Sequence, residues 1–151
     1  MRRNPVLREV TDFMLPPILL FALYVQFHGE YSPGGGFQAG VLVGAGIIAY
    51  ALIHGLDRAQ RVIPPAVVRT GVSLGLLLYI GVGFAALILG KNFLDYDALW
   101  PHHGPGPNKH GQEVGIILIE LGVGITVACV MVTIFYSYAA RRGARRRARE
   151  E

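Results

Sequence analysis

The sequence predicts an all-α integral membrane protein of four transmembrane helices, with the N- and C-termini both cytoplasmic. Three observations lead there. Hydrophobic residues make up 52% of the 151 residues and charged residues only 16%, where a soluble domain carries about 25% charged, and mean hydropathy is +0.43. Four long runs, at about 10–27, 37–56, 70–90 and 114–140, are almost free of charge. The basic residues alternate with those runs in one phase only.

Each span has its own logic. Asn4-Pro5 suits a helix start, because proline fits the first turn. Val6, Leu7, Val10, Phe13 and Met14 then recur at helical spacing opposite Arg8, Glu9 and Asp12, an amphipathic lead-in fit for a membrane surface. Pro16-Pro17 is expected to kink or restart the helix. Phe13 to Phe27 is short against the ~20 residues that cross ~30 Å of hydrocarbon, so part of the lead-in must enter the membrane. In the second span Gly36, Gly40 and Gly44 fall four apart, a groove that admits another helix closely. The third span, Thr70 to Gly90, repeats that spacing with Gly71 and Gly75. The loops between, with Pro64-Pro65 and with Pro101, Pro105 and Pro107, read as irregular. The segment 1–140 is thus one four-helix membrane domain, and 141–151 an arginine-rich cytoplasmic tail.

Charge sets the orientation. The N-terminal segment, the loop after the second span and the tail hold twelve arginines; the other two connections hold only Lys91 and Lys109. That asymmetry places both termini inside. Nucleic acid is not expected as a partner: the tail reads as an anchor on anionic membrane lipid. The one cysteine, Cys129, allows no internal disulfide, and no small-residue cleavage site follows the first apolar run, so the first helix is expected to be retained.

Chemistry is sparse. No nucleophile–base pair is visible, so the chain is not expected to be an enzyme. His102, His103 and His110 match no metal spacing, and neither a metal nor a cofactor is expected. The glycine run lacks a following Gly-Lys-Ser/Thr, which removes a phosphate loop. Glu120 stands out. A carboxylate about six residues into the fourth span costs roughly 2.5–3.5 kcal/mol at a span centre and is by default a functional candidate. Glu113 lies seven positions earlier on nearly the same stripe, and Gly124 leaves room beside it. The pair reads as candidates for a cation or proton path. The competing account, a tie between Glu120 and a neighbouring helix, stays open. Tyr24, Gln26, Gln38, Ser73, Thr126 and Thr133 are expected to make helix–helix hydrogen bonds.

The remaining unusual stretch is Pro33-Gly34-Gly35-Gly36-Phe37. Bare glycine backbone at a corner is ordered only when something packs against it. The run LLFALYVQFHGEYSPGGGFQAGVLVGAGIIAYAL resembles the B subunit of Mrp/Mnh-type multisubunit Na⁺/H⁺ antiporters, and the likeness continues into GQEVGIILIELGVGITVACVMVTIF. Many members of that family carry an aspartate followed by Ile-Gly-Val in the last helix; here the residues are Glu120, Leu121, Gly122 and Val123. The resemblance implies a multi-pass subunit of a bacterial cell-membrane complex, with partners of the A, C, D, E, F and G types, exchanging Na⁺ for H⁺. It implies that Pro33, Gly34, Gly35, Gly36, Phe37, Gly40, Gly44 and Gly122 are structural or subunit-interface positions, Phe37 being the apolar anchor. Two alternatives stay open: a structural subunit of a proton-translocating respiratory, membrane-bound hydrogenase or inorganic-carbon-uptake complex, and a stand-alone homo-oligomeric channel or carrier.

Overall fold

The computed structural model describes residues 5–29, 35–101 and 108–150, with side chains to Arg141. Five α-helices follow one another: α1 (Pro5–Phe27), α2 (Gly36–His54), the short α3 (Leu56–Val62), α4 (Pro65–Ile88) and α5 (Lys109–Glu150), with a 3-10 turn at Tyr96–Leu99 before α5. Four of them, α1, α2, α4 and α5, are long and apolar enough to cross a membrane.

The helices form a row in the order α1, α2, α5, α4, with α5 central. Small residues make this possible. On α2, the Gly36, Gly40 and Gly44 stripe lies on α5: a β-carbon at Gly40 would come 2.5 Å from the Gly124 carbonyl oxygen, and one at Gly44 would come 3.3 Å from Met131. On the other side of α5, Gly122 faces the Gly75 carbonyl and the Tyr79 backbone of α4 at 2.9 and 3.0 Å by the same measure. Gly46 takes α1, meeting Leu15, Ile18 and Leu19 at ordinary van der Waals distance. Without a hydrophobic driving force in lipid, such backbone approach is what holds helices together. The groove expected at Gly40 and Gly44 is therefore filled by the chain's own fourth span.

The two ends of the row differ. At one end meet the start of α1, the end of α2, α3, the start of α4 and the late turns of α5. A small core of Ala51, Ala59, Val68, Val132 and Tyr136 closes it, and the Tyr136 hydroxyl donates to the Ile63 carbonyl at 3.2 Å. Arg8, Arg58, Arg61, Arg69 and Arg141 belong to this end. At the other end lie the α1–α2 connection and the segment 89–108. Asn108, 3% exposed, organises that segment. Its amide donates to the carbonyls of Asp97 (2.9 Å) and Trp100 (2.6 Å), and its oxygen accepts from the Gly111 N–H at 3.2 Å, an N-terminal cap for α5.

Four expectations need correction. The chain runs through Pro16 and Pro17 as one helix rather than restarting, as proline is tolerated in membrane helices whose neighbours compensate the lost bond. The basic loop contains α3, because Ala59 docks on the core while Asp57, Arg58 and Arg61 stay outside. Gln26, expected to bond between helices, leaves its buried Nε2 without a hydrogen-bond partner among the described residues. Ser73, Thr126 and Thr133 do not bond between helices; each hydroxyl donates to the carbonyl four residues back in its own helix, the local alternative open to short hydroxyl side chains.

Candidate functional site

The site is built where α2 begins. Gly35 precedes α2 with φ +121°, a backbone that side chains other than glycine rarely adopt. Its N–H donates to the Val25 carbonyl of α1 at 3.3 Å, so the α1–α2 connection is closed across its base. The next residue, Gly36, lies directly on the Glu120 main chain: a β-carbon there would overlap the Glu120 carbonyl oxygen and stand 2.9 Å from the Glu120 Cα.

The Glu120 side chain continues from that contact into the corner. A β-carbon at Gly29 would meet its two carboxyl oxygens at 2.5 and 2.7 Å, and one at Gly35 would meet Oε1 at 2.8 Å. Gly29 and Gly35 thus face the Glu120 carboxyl, and Gly36 its main chain. The first N–H groups of α2 have no partners inside the helix, and the partial positive charge of that end favours a carboxylate. Pro33 and Gly34 lie outside the described residues. Phe37, on the first turn of α2, is 61% exposed.

Depth follows from the helix lengths. α5 begins at Lys109, so Glu120 is eleven residues along it, about 16 Å from its start at 1.5 Å per residue. Gly35 and Gly36, where α2 begins, thus stand at the level of the acid rather than at the start of α5. Glu113 lies two turns nearer the surface, 41% exposed, with one oxygen 3.3 Å from His110 Nδ1. The structure does not bring the two acids into contact. His102 and His103 lie outside the described residues, and among the described residues no group of three or more metal-ligating side chains forms.

Two further polar features stand near these helices, and the sequence pointed to Gln26 only as a helix–helix hydrogen-bonding residue. Gln26 is 6% exposed and its Nε2 has no hydrogen-bond partner. Its oxygen lies 2.7 Å from where a Gly124 β-carbon would stand, one turn beyond Glu120. Gln26 is the polar group of an otherwise apolar cavity of about 290 Å³ between α1, α2, α4 and α5. At the opposite end, His54 Nε2 donates to Asp12 Oδ1 at 2.6 Å. The amphipathic register of α1 and the lone histidine closing α2 were the available signals, but nothing in the sequence aligned them.

Comparison with known proteins gives a consistent picture. Residues 6–133 match the family model described as a domain related to the MnhB subunit of Na⁺/H⁺ antiporter. Over 146 residues the chain is 28% identical to a protein of Staphylococcus epidermidis RP62A named as an antiporter subunit, mnhB2; the match covers 94% of this chain and 99% of that protein. The protein of that name in Staphylococcus aureus Newman is 31% identical over the same coverage.

Proposed function

We propose that this chain, which belongs to the family of domains related to the MnhB subunit of Na⁺/H⁺ antiporter, is the small multi-pass subunit of a multisubunit Na⁺/H⁺ antiporter in a bacterial cell membrane. Its partners are antiporter subunits of the A, C, D, E, F and G types. The chain itself performs no chemical conversion. The end that carries Arg8, Arg58, Arg61 and Arg69 faces the cytoplasm, since basic residues are retained on that side. The end of the row where Gly35 meets Glu120 then faces outward.

Within the complex the chain has two tasks. Its outer helices, α1 and α4, present apolar side chains such as Phe13, Leu20, Leu77 and Ile88, exposed by 75, 72, 64 and 84%, to partner subunits and lipid. Phe37 anchors one such contact on the first turn of α2, beside Gly35 and Gly36. The second task falls to Glu120. The observation that carries it is the placement of its carboxyl against Gly29 and Gly35, about 16 Å along α5 from its start. Glu120, with Glu113 nearer the surface, borders the route by which a cation or proton reaches the complex. An intramembrane acid set beside backbone rather than in lipid is the usual form of such a group.

The test is Na⁺-dependent proton flux in vesicles holding the whole complex, with wild-type chain, with no chain, and with Glu120→Gln. Flux should be lost without the chain. With Glu120→Gln it should be lost although all subunits still co-purify. Full flux in an assembled Glu120→Gln complex removes the acid from the path, and undiminished flux without the chain removes the subunit from the antiporter's working parts.

A further inference from the structure

The arginine-bearing end of the row holds a second polar site. Arg8 of α1, Ile53 and His54 of α2, and Arg58 of α3 line a cavity of about 240 Å³. Three helices converge there, and two of them contribute a guanidinium.

The acids nearby do not neutralise those guanidinium groups. Asp12 is one helical turn from Arg8, the spacing of an intrahelical ion pair. It turns instead to His54, at 2.6 Å, whose side chain is 5% exposed and whose ring stacks on Tyr50 with centroids 4.5 Å apart. The carbonyl of Asp57 accepts from Arg61 Nε at 3.3 Å. Among the described residues neither Arg8 nor Arg58 has a carboxylate within ion-pair distance. Among the described residues the two guanidinium charges of the cavity therefore have no carboxylate partner.

We infer that this cavity binds the phosphate of an anionic membrane phospholipid. Guanidinium groups match phosphate oxygens through paired N–H donors, and basic pockets between helices at a membrane surface hold acidic headgroups. A lipid is favoured over a free anion by what adjoins the cavity. Two turns along α1 from Arg8, one turn along α2 from His54 and one along α3 from Arg58, Leu15, Tyr50 and Val62 line an apolar cavity of about 170 Å³, room for part of an acyl chain. His54, locked by Asp12 and Tyr50, forms the wall and keeps Asp12 turned away from Arg8. The site involves neither Glu120 nor the corner, so lipid binding and ion flux can fail separately.

Native mass spectrometry of the delipidated full-length chain, titrated with phosphatidylglycerol or phosphatidylcholine, tests it. One phosphatidylglycerol should be held per chain in preference to phosphatidylcholine. The double variant Arg8→Gln/Arg58→Gln should bind it about 30-fold more weakly, on the scale known for two basic residues at an anionic surface. The pair Arg69→Gln/Arg141→Gln removes equal charge from the same end, away from the cavity, and should retain the lipid. Equal weakening by both pairs, or no preference for phosphatidylglycerol, overturns the site. Displacement of the lipid by equimolar inorganic phosphate overturns the lipid assignment.

Discussion

Gly36 and Glu120 are in backbone contact: the first residue of α2 rests on the main chain of α5, with no room for a methyl group between them. Gly36→Ala must push the two helices apart. Overpacking of this kind costs about 1–3 kcal/mol and occasionally more, and here the obstacle is backbone, which cannot rotate away. Two controls share the chemistry without the contact. A β-carbon at Gly46 meets only side chains at 3.5 Å or more, and one at Gly81 meets nothing within 4 Å. Unfolding in detergent should show Gly36→Ala strongly destabilised and Gly81→Ala unchanged or stabilised by up to about 1 kcal/mol.

Gly35 supplies a different demand. Its φ of +121° is reached by other residues at a cost of about 1–3 kcal/mol, and its face is turned to Glu120 Oε1. Gly35→Ala should therefore destabilise the chain and lower its yield in co-purified complexes. If Glu120→Gly in the same chain restores part of the loss, crowding at the carboxyl contributes; if it restores none, the backbone conformation accounts for all of it.

Asp12 and His54 join α1 to α2 at the other end. Removing Asp12 leaves a nearly buried imidazole N–H without its acceptor, a loss of about 1–3 kcal/mol. Asp12→Ala and His54→Ala should each destabilise, and the double variant should lose less than their sum. A double-mutant cycle should give a coupling of about 0.5–3 kcal/mol; additive losses would mean that the 2.6 Å contact contributes nothing.

Asn108 fastens the 89–108 segment with three hydrogen bonds. Asn108→Ala should cost about 1–3 kcal/mol and raise the rate of limited proteolysis after Lys91, with cleavage elsewhere unchanged. Unaltered proteolysis would show that the 3-10 turn holds by other means.

Tyr96 is packed over Gly115 in the same segment. Burial, and then the neighbouring Tyr79 phenol, push its hydroxyl above the ordinary 10.0. A raised value in the folded state means its contribution is whole below pH 10.0 and is lost as pH rises past it, because the unfolded chain ionises first. The fall in stability above that pH should be shallower in Tyr96→Phe than in wild type, read as unfolding midpoint against pH.

The sequence by itself determined that four helices cross a membrane, because apolar length and charge spacing are properties of a linear chain. It also singled out Glu120 and the glycine-rich corner as the places composition does not explain. It left open what each of them touches. Only the tertiary structure decided that the Gly36–Gly40–Gly44 stripe lies on α5, that α5 separates α2 from α4, and that Glu120 lies against Gly29, Gly35 and Gly36. Periodicity gives the face a helix buries but not its neighbour, and the pairing of Gly36 with Glu120 joins residues 84 positions apart. Asp12 and His54 were hidden for the same reason: each reads as an ordinary polar residue near the end of a span, and only antiparallel packing of α1 on α2 brings a carboxylate to the imidazole.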